Sequence, residues 1–86
     1  MGAYRIDLSR DAVKSLSGFD RSTQARIRAA IDALADEPRP SGSIKLAGGS
    51  GEWCIRVGDY RIVYEIHDGR LLVLVVRVAH RREVYR

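Results

Sequence analysis

The sequence has only one cysteine, Cys54, and this scarcity excludes two classes of protein. A single thiol cannot close an intramolecular disulfide, and it cannot build a cysteine-rich metal site. Such low cysteine usage fits a reducing compartment. We therefore expect a cytoplasmic protein whose fold depends on its hydrophobic core.

Long apolar runs are missing as well. The longest candidate, LLVLVVRV (71–78), includes Arg77 and is far shorter than the roughly 20 residues that span a bilayer. The opening segment MGAYRIDLSR has no apolar core of signal-peptide length. We expect no membrane association, and no motif in the chain indicates a metal or another cofactor.

The length and composition bound the architecture. A chain of 86 residues has room for one domain, so we expect a single domain over residues 1–86. Hydrophobic residues make up 45% of the chain, which is enough to build a core and argues against disorder.

Cations exceed anions in this sequence. Fifteen Lys and Arg against eleven Asp and Glu give a net charge of +4, which favours polyanionic partners such as nucleic acid. Every cation except Lys14 and Lys45 is an arginine. Guanidinium groups bind phosphate bidentately, so the type of cation supports the same expectation.

The first half of the chain predicts one strand and two helices. AYRIDL (3–8) alternates apolar and polar residues, as a half-buried strand does. Ser9 can cap a short helix that stops at Ser17-Gly18, where glycine tolerates positive φ. Asp20 can cap a second helix, from Arg21 to Asp36. The second helix has an apolar stripe and a solvent-facing side, which includes Arg21, Arg26, Arg28 and Asp32.

The second half predicts a β-meander. After a Gly- and Ser-rich loop (39–51) that we expect to lack regular structure, three strands follow: EWCIRV, YRIVYEI and LLVLVVRV. Gly58-Asp59 and Asp68-Gly69 are two-residue sequences that favour tight hairpin turns. The predicted fold is α+β, in the order β-α-α-β-β-β. Two helices pack on one face of a small, mainly antiparallel, four-stranded sheet.

The first hairpin fixes a cross-strand pair of arginines. A two-residue turn at Gly58-Asp59 places Arg56 opposite Arg61, on the side of the hairpin that does not face the helices. Like charges directly across an antiparallel pair oppose folding, unless an anion binds between them. The pair is therefore either a phosphate or carboxylate site, or two side chains that separate into solvent.

The chain end brings further basic and aromatic residues. If Asp68-Gly69 forms a tight turn, the last strand places Val76 across from Arg61. His80, Arg81 and Tyr85 would then leave the strand close to the arginine pair. The alternative is that these terminal residues are simply solvated.

The segment IKLAGGSGEWCIRVGDYRIVYEIHDGRLLVLVVRVAHRREVY resembles the RelE branch of the RelE/ParE superfamily of bacterial toxin–antitoxin modules. The matching parts are the K-L loop, the RVGDYRIVY hairpin and the terminal HRREVYR. With the preceding strand and helices, the resemblance covers nearly the whole chain. It implies a ribosome-dependent endoribonuclease that cuts mRNA in the decoding site. A cognate RelB-like antitoxin would neutralise it.

The resemblance also implies roles for individual residues. Without a metal ion, the 2′-hydroxyl of a nucleotide would attack the adjacent phosphate, with Arg56 and Arg61 binding that phosphate. Arg81 matches an arginine that contacts the phosphate and protonates the leaving group, and Tyr85 matches a tyrosine that stacks on the base. RNA-binding positions implied by the match are Lys45, Arg56, Arg61, Arg81 and Arg82.

The general base is not identified by the match. Well-studied RelE toxins carry a lysine where this sequence has Cys54, and arginine is too basic to accept the proton. His80 is our candidate because its ordinary pKa, near 6.5, permits proton transfer at neutral pH. Cys54 is more often a small apolar filler in a strand than a thiolate.

Two other functions fit the sequence. A ParE-like toxin on the same fold would bind DNA gyrase and need no acid–base residues, and the missing lysine favours it. An inactive module would only bind the antitoxin. In every case we expect a partner that is acidic where it meets Arg56, Arg61 and Arg81.

Overall fold

A computed structural model describes residues 3–46 and 51–80 and confirms an α+β fold. Two helices, α1 (Arg10–Ser17) and α2 (Arg21–Ala33), follow the first strand. The strands are β1 (Arg5–Leu8), β2 (Ile44–Lys45), β3 (Glu52–Val57), β4 (Tyr60–His67) and β5 (Leu72–His80). They form one sheet in the order β1-β5-β4-β3-β2, in which β1 runs parallel to β5 and the other pairs are antiparallel. In the described ranges, no helix is long and apolar enough to cross a membrane.

The sheet has five strands, so the expected number of four was wrong. The extra strand, β2, lies inside the segment that we expected to lack regular structure. It pairs with Trp53 and Cys54 of β3, and the Leu46 amide donates a hydrogen bond to the Glu52 carbonyl at 2.8 Å. Two residues are too few to show any periodicity, which is why the pattern did not reveal this strand.

Ser9 fixes where the chain leaves β1 and enters α1. As predicted, its side chain caps the helix, accepting a hydrogen bond from the Ala12 amide at 3.1 Å. The same hydroxyl donates to the Val76 carbonyl of β5 at 2.8 Å. One serine therefore both starts α1 and fastens it to the sheet. The helix ends at Ser17 with Gly18 as its cap, as predicted, although Gly18 has φ −86° and does not use the positive φ that glycine tolerates.

The second helix begins as predicted and ends earlier. The Asp20 carboxylate accepts a hydrogen bond from the Thr23 amide at 2.8 Å. Hydrogen bonding by the Thr23 side chain, followed by that of the amide, holds the Asp20 pKa below its ordinary value. After Ala33, tighter turns replace the helix: the Leu34 amide donates to the carbonyl three residues back instead of four. The segment then continues into Pro38.

The helices and the sheet bury one apolar layer between them. Its fully buried members are Ala12, Leu16, Ile27, Ile31, Leu34, Ile62, Tyr64, Val73, Val75 and Val78. Tyr64 is the largest of them, and its hydroxyl donates to the Pro38 carbonyl at 2.7 Å. Burial raises the Tyr64 pKa to about 12. This layer provides a rigid backing for the hairpin made by β3 and β4.

The connection between β4 and β5 differs from the tight turn that we expected. A short 3₁₀ helix, Asp68–Arg70, and Leu71 with φ 47° join His67 to Leu72. The loop therefore has two more residues than expected, which moves the register by two. A bulge next to Val63 and Tyr64 moves it by one more.

This combined shift decides which residues of β5 face Arg61. Arg61 pairs with Ala79, so the expected pairing with Val76 was wrong. A shift of two residues keeps each side chain on its face of the sheet, whereas the additional shift of one reverses it. The bulge therefore turns Arg77 towards the face of Arg61 and places His80 on the other face.

Asp68 joins three parts of the chain at the end of the sheet away from the β3–β4 turn. Its carboxylate accepts hydrogen bonds from the Tyr4 hydroxyl at 2.5 Å and from Arg39 Nη2 at 2.8 Å. The Arg39 guanidinium also lies over the Trp53 ring, 5.4 Å from its centroid. The bond from Arg39, followed by that from Tyr4, holds the Asp68 pKa below its ordinary value.

We predict that Asp68→Asn lowers the free energy of unfolding at neutral pH. The carboxylate stabilises the fold above its unfolded-state pKa of about 3.9, and this contribution is lost as the pH falls through the depressed folded pKa. Parent and variant should therefore converge in stability at acidic pH. Urea unfolding across pH 2–7, monitored by circular dichroism, measures this difference.

The matched control is Asp7→Asn, because Asp7 has only an exposed 3.8 Å contact with Arg5. It should change stability less than Asp68→Asn at neutral pH. Equal effects of the two substitutions would contradict the role given to Asp68.

Candidate nucleic-acid interface

The β3–β4 hairpin has the turn and the register that its sequence predicts. Gly58 adopts φ 60°, which glycine accepts without strain, and the turn contains only Gly58 and Asp59 between the paired residues Val57 and Tyr60. Arg56 pairs with Arg61, and Cys54 pairs with Val63. Each predicted pairing of this hairpin is confirmed.

The two faces of the hairpin differ in chemistry, also as predicted. The side towards the helices carries Trp53, Ile55, Val57, Tyr60, Ile62, Tyr64 and Ile66, which pack in or against the core. Cys54, Arg56, Arg61 and Val63 alternate with them and therefore lie on the opposite side. We call this opposite side the arginine face.

The two arginines of this face are held differently. Arg61 is 8% exposed, which makes it the one buried charged residue in the described ranges. Its Nη1 atom lies 4.0 Å from Cys54 Sγ, a weak contact across the two strands. Arg56 is exposed, and its Nε donates to the Gly58 carbonyl at a long 3.4 Å. One guanidinium is thus fixed by burial, whereas its neighbour is anchored at the turn.

Cys54 occupies a buried position on this face. It is 2% exposed, and its side chain lies next to the Arg61 guanidinium. This burial agrees with the interpretation of Cys54 as a small space-filling residue. Its sulfur therefore helps to shape the environment of Arg61.

The arginine face has opposite charges at its two ends. At the end nearest the turn it carries Arg56 and Arg61, whereas four residue pairs further along the register Glu52 lies opposite Glu65. Glu65 also contacts His67, with Oε1 2.8 Å from Nε2. Anions are therefore attracted to the turn end and repelled from the other end. The predicted register ended one pair before these acids, so extending it by that pair would have revealed them from the sequence.

The bulge adds one cation that sequence reasoning missed. Arg77 pairs with Val63, so its exposed side chain lies on the arginine face, between the basic and acidic ends. A register counted from the expected two-residue turn at Asp68-Gly69 would place Arg77 on the side of the sheet that faces the helices. The sequence alone offered no signal for the bulge.

His80 and Lys45 are not brought to the arginine pair. His80 pairs with Tyr60 on the helix side, and its ring meets the Tyr60 ring edge-on with centroids 5.5 Å apart. Lys45 is exposed and pairs with Trp53, at the outer edge of the sheet. The expectation that His80 would lie beside Arg56 and Arg61 was therefore wrong, because the bulge reverses its face.

The other predicted site residues, Arg81, Arg82 and Tyr85, lie outside the described residues. Their roles stay predictions. The described strand ends at His80, next to Ala79, which faces Arg61. The observed part of the site is therefore the arginine pair, with Arg77 and Cys54 beside it.

The chain matches a known family over most of its length. A family model described as the ParE toxin of the type II toxin–antitoxin system, parDE, covers residues 6–85. The toxin RelG of Mycobacterium tuberculosis is 33% identical over 66 residues, which span 77% of this chain and 76% of RelG.

Solved structures show the same fold. The archaeal RelE–RelB complex from Pyrococcus horikoshii contains a chain with a TM-score of 0.82 and 26% identity; the alignment covers 92% of this chain and 96% of that one. The isolated RelE toxin of Escherichia coli gives a TM-score of 0.79 and 26% identity, over 96% of this chain and 92% of that chain.

We predict that Arg56→Gln stabilises the isolated protein. The substitution removes the like-charge pair with Arg61, so the free energy of unfolding should rise by about 0.2–0.5 kcal/mol at low salt. The gain should disappear near 1 M sodium chloride, where the screening length is about 3 Å. Urea unfolding at several salt concentrations measures it.

Arg77→Gln is the matched control, because Arg77 is exposed on the same face but pairs with Val63. A gain in stability no larger than that of the control would contradict electrostatic strain at the pair.

Proposed function

This chain belongs to the RelE/ParE family of toxins from type II toxin–antitoxin systems, and on that premise we propose that it is a ribosome-dependent endoribonuclease that cuts mRNA. The observation that carries the proposal is the arginine pair on the side of the hairpin away from the core. Like charges directly opposite each other destabilise an antiparallel pair, and an anion bound between them offsets that repulsion. An RNA phosphate is such an anion.

The proposed reaction needs no metal ion. The 2′-hydroxyl oxygen attacks the adjacent phosphorus, and the bond to the 5′-oxygen of the next nucleotide breaks. The products are a cyclic 2′,3′-phosphate and a free 5′-hydroxyl. One proton leaves the 2′-hydroxyl, and another reaches the departing 5′-oxygen, so protons and electrons balance.

The arginines stabilise the charge that develops in this reaction. Negative charge builds on the phosphoryl oxygens in the transition state, and cations already in place lower the barrier. Burial restricts Arg61 to few orientations, so little reorganisation is needed when the charge develops. Arg56, at the turn, supplies a second and more exposed donor. Under this proposal Arg81 protonates the leaving oxygen and Tyr85 stacks on a base, as the family resemblance implies.

The neutralising partner that we propose is a RelB-like antitoxin. The relative from Pyrococcus horikoshii was solved as a complex with RelB. On this chain, an acidic segment of the partner would suit the turn end of the arginine face, where Arg56 and Arg61 lie. It would avoid the other end, where Glu52 and Glu65 face each other.

We predict that Arg61→Gln slows cleavage of mRNA on programmed ribosomes by about a hundredfold, because one preorganised electrostatic donor is lost. Primer extension on purified ribosomes, with single-turnover rates, measures the effect. Arg28→Gln is the control: it removes the same charge from an exposed position on α2 and should cleave at the parent rate. A substrate with a 2′-deoxynucleotide at the cut site should remain intact.

The same assay separates the proposal from its alternatives. If the parent protein leaves mRNA intact but inhibits supercoiling by purified gyrase, the ParE-like function replaces the one proposed. The supercoiling assay is included because the matching family model is described as the ParE toxin. If it does neither and expression leaves growth unaffected, the chain only binds its antitoxin.

We also predict that His80→Gln leaves the rate of mRNA cleavage close to that of the parent. His80 packs edge-on against Tyr60 on the helix side of the sheet, away from Arg56 and Arg61. Single-turnover rates on purified ribosomes measure the effect. A loss of roughly a hundredfold or more, as removal of a general base causes, would instead assign proton transfer to His80.

A further inference from the structure

Arg26, on the second turn of α2, reaches the β3–β4 turn. A side-chain carbon built on Gly58 would lie 2.7 Å from Arg26 Nη2, 3.5 Å from Cζ and 3.7 Å from Nη1. The guanidinium therefore occupies the space that any other residue at position 58 would fill. The helical periodicity predicted only that Arg26 faces water, and the packing of α2 next to β3 brings it to the hairpin.

Two guanidiniums thus meet the same glycine. Arg56 donates to the Gly58 carbonyl, while Arg26 covers the position of the missing side chain. With Arg61 opposite Arg56, three arginines lie around the tip of the hairpin. They extend from the arginine face, across the turn, to the side of α2.

Nothing in the described ranges neutralises the two arginines at the glycine. No carboxylate of residues 3–46 or 51–80 forms a salt bridge with Arg26 or Arg56, although Asp59 is in the same turn. Three carboxylates elsewhere, by contrast, do pair with basic side chains; Asp68 with Arg39, at 2.8 Å, is one of them. Within the part of the chain that the structure describes, Arg26 and Arg56 therefore carry positive charge that no carboxylate pairs with.

The space beside this site is open. A groove of about 430 Å³ lies between α2 and β3, with Arg56 on one wall and the small residues Ala30, Ala33 and Gly42 on others. Arg26 precedes Ala30 by about one turn of the same helix. The groove therefore passes beside Arg56 and lies about one helical turn from Arg26.

We infer that Arg26 binds a second phosphate of the RNA, next to the one held by Arg56 and Arg61; this inference rests on the proposed RNA substrate. Guanidinium groups bind phosphate bidentately, and a row of them suits the regular charges of an RNA backbone.

The salt dependence of RNA binding tests the inference. For single strands, each neutralised phosphate contributes about 0.7 to the slope of log K against log salt concentration. We expect Arg26→Gln to reduce this slope by about 0.7, measured by fluorescence anisotropy with a labelled single-stranded RNA oligonucleotide that carries 2′-deoxynucleotides and cannot be cut. Circular dichroism checks that each variant is folded.

Two further variants make the test specific. Arg28→Gln removes the same charge two residues away, beside Leu8 and Leu16, and should leave the slope unchanged. Gly58→Asn keeps every arginine but places a side chain where the Arg26 guanidinium lies, and asparagine tolerates positive φ. Because the displaced guanidinium keeps its charge and can shift aside, the slope should fall, but by less than in Arg26→Gln.

Equal slopes for the Arg26 and Arg28 variants would overturn the inference, and so would an absence of RNA binding by the parent at low salt. Competition by polyglutamate as strong as that by unlabelled RNA of equal charge would assign the site to an acidic polypeptide instead. A different result would reject the proposed function alone. If the parent cuts no mRNA on ribosomes but the slopes differ as stated, the Arg26 contact with RNA is supported and the cleavage proposal is rejected.

Discussion

The register of the β3–β4 hairpin is the constraint on which the candidate site depends. The two-residue turn at Gly58-Asp59 sets the pairing, and the core fixes which side faces inward, since Ile62 and Tyr64 are fully buried beneath the helices. Once both are set, Arg56 and Arg61 must share the outer side. A register shifted by one residue would separate the two arginines, but it would also expose the residues that are now buried in the core. The hydrophobic layer therefore stabilises an arrangement of charges that is unfavourable by itself.

The position of β5 decides which other residues join this face. The Ser9 side chain holds the start of α1 against the Val76 carbonyl, where the bulge inserts its extra residue. Beyond that point every side chain of β5 changes face, so Arg77 joins the arginines and His80 packs with Tyr60. The chemistry available at the site is thus set by one irregular residue in an otherwise regular strand.

Much of the fold was readable from the sequence because separate signals agreed. Ser9 and Asp20 cap the helices, and the Gly58-Asp59 turn gives the arginine pair. The order of the elements other than β2, and the helix-facing residues of the hairpin, followed from periodicity. Local turn chemistry and the hydrophobic pattern pointed to the same register there, which is why those predictions were confirmed.

The predictions for β5 were wrong for a physical reason. LVLVV is apolar at every position, so no alternation marks which residues face the helices or where a bulge reverses them. The sequence of the turn before β5 did not predict its conformation either, because Leu71 adopts a positive φ that a leucine side chain disfavours. The contact of Arg26 with Gly58 was equally invisible, because it depends on how closely α2 approaches β3 and not on either pattern.

The repulsion between neighbouring arginines explains why one surface would suit both a substrate and an inhibitor. A cluster of guanidiniums attracts any well-placed anion, and charge alone does not distinguish a phosphate from a carboxylate. Discrimination must then come from geometry: an RNA chain offers evenly spaced phosphates and flat bases, whereas a protein segment offers carboxylates and apolar side chains. Arg61, restricted by burial, is suited to a phosphate in one fixed position. Exposed Arg56 can follow either ligand, so a partner that binds Arg56 tightly and covers Arg61 would block the substrate without imitating it.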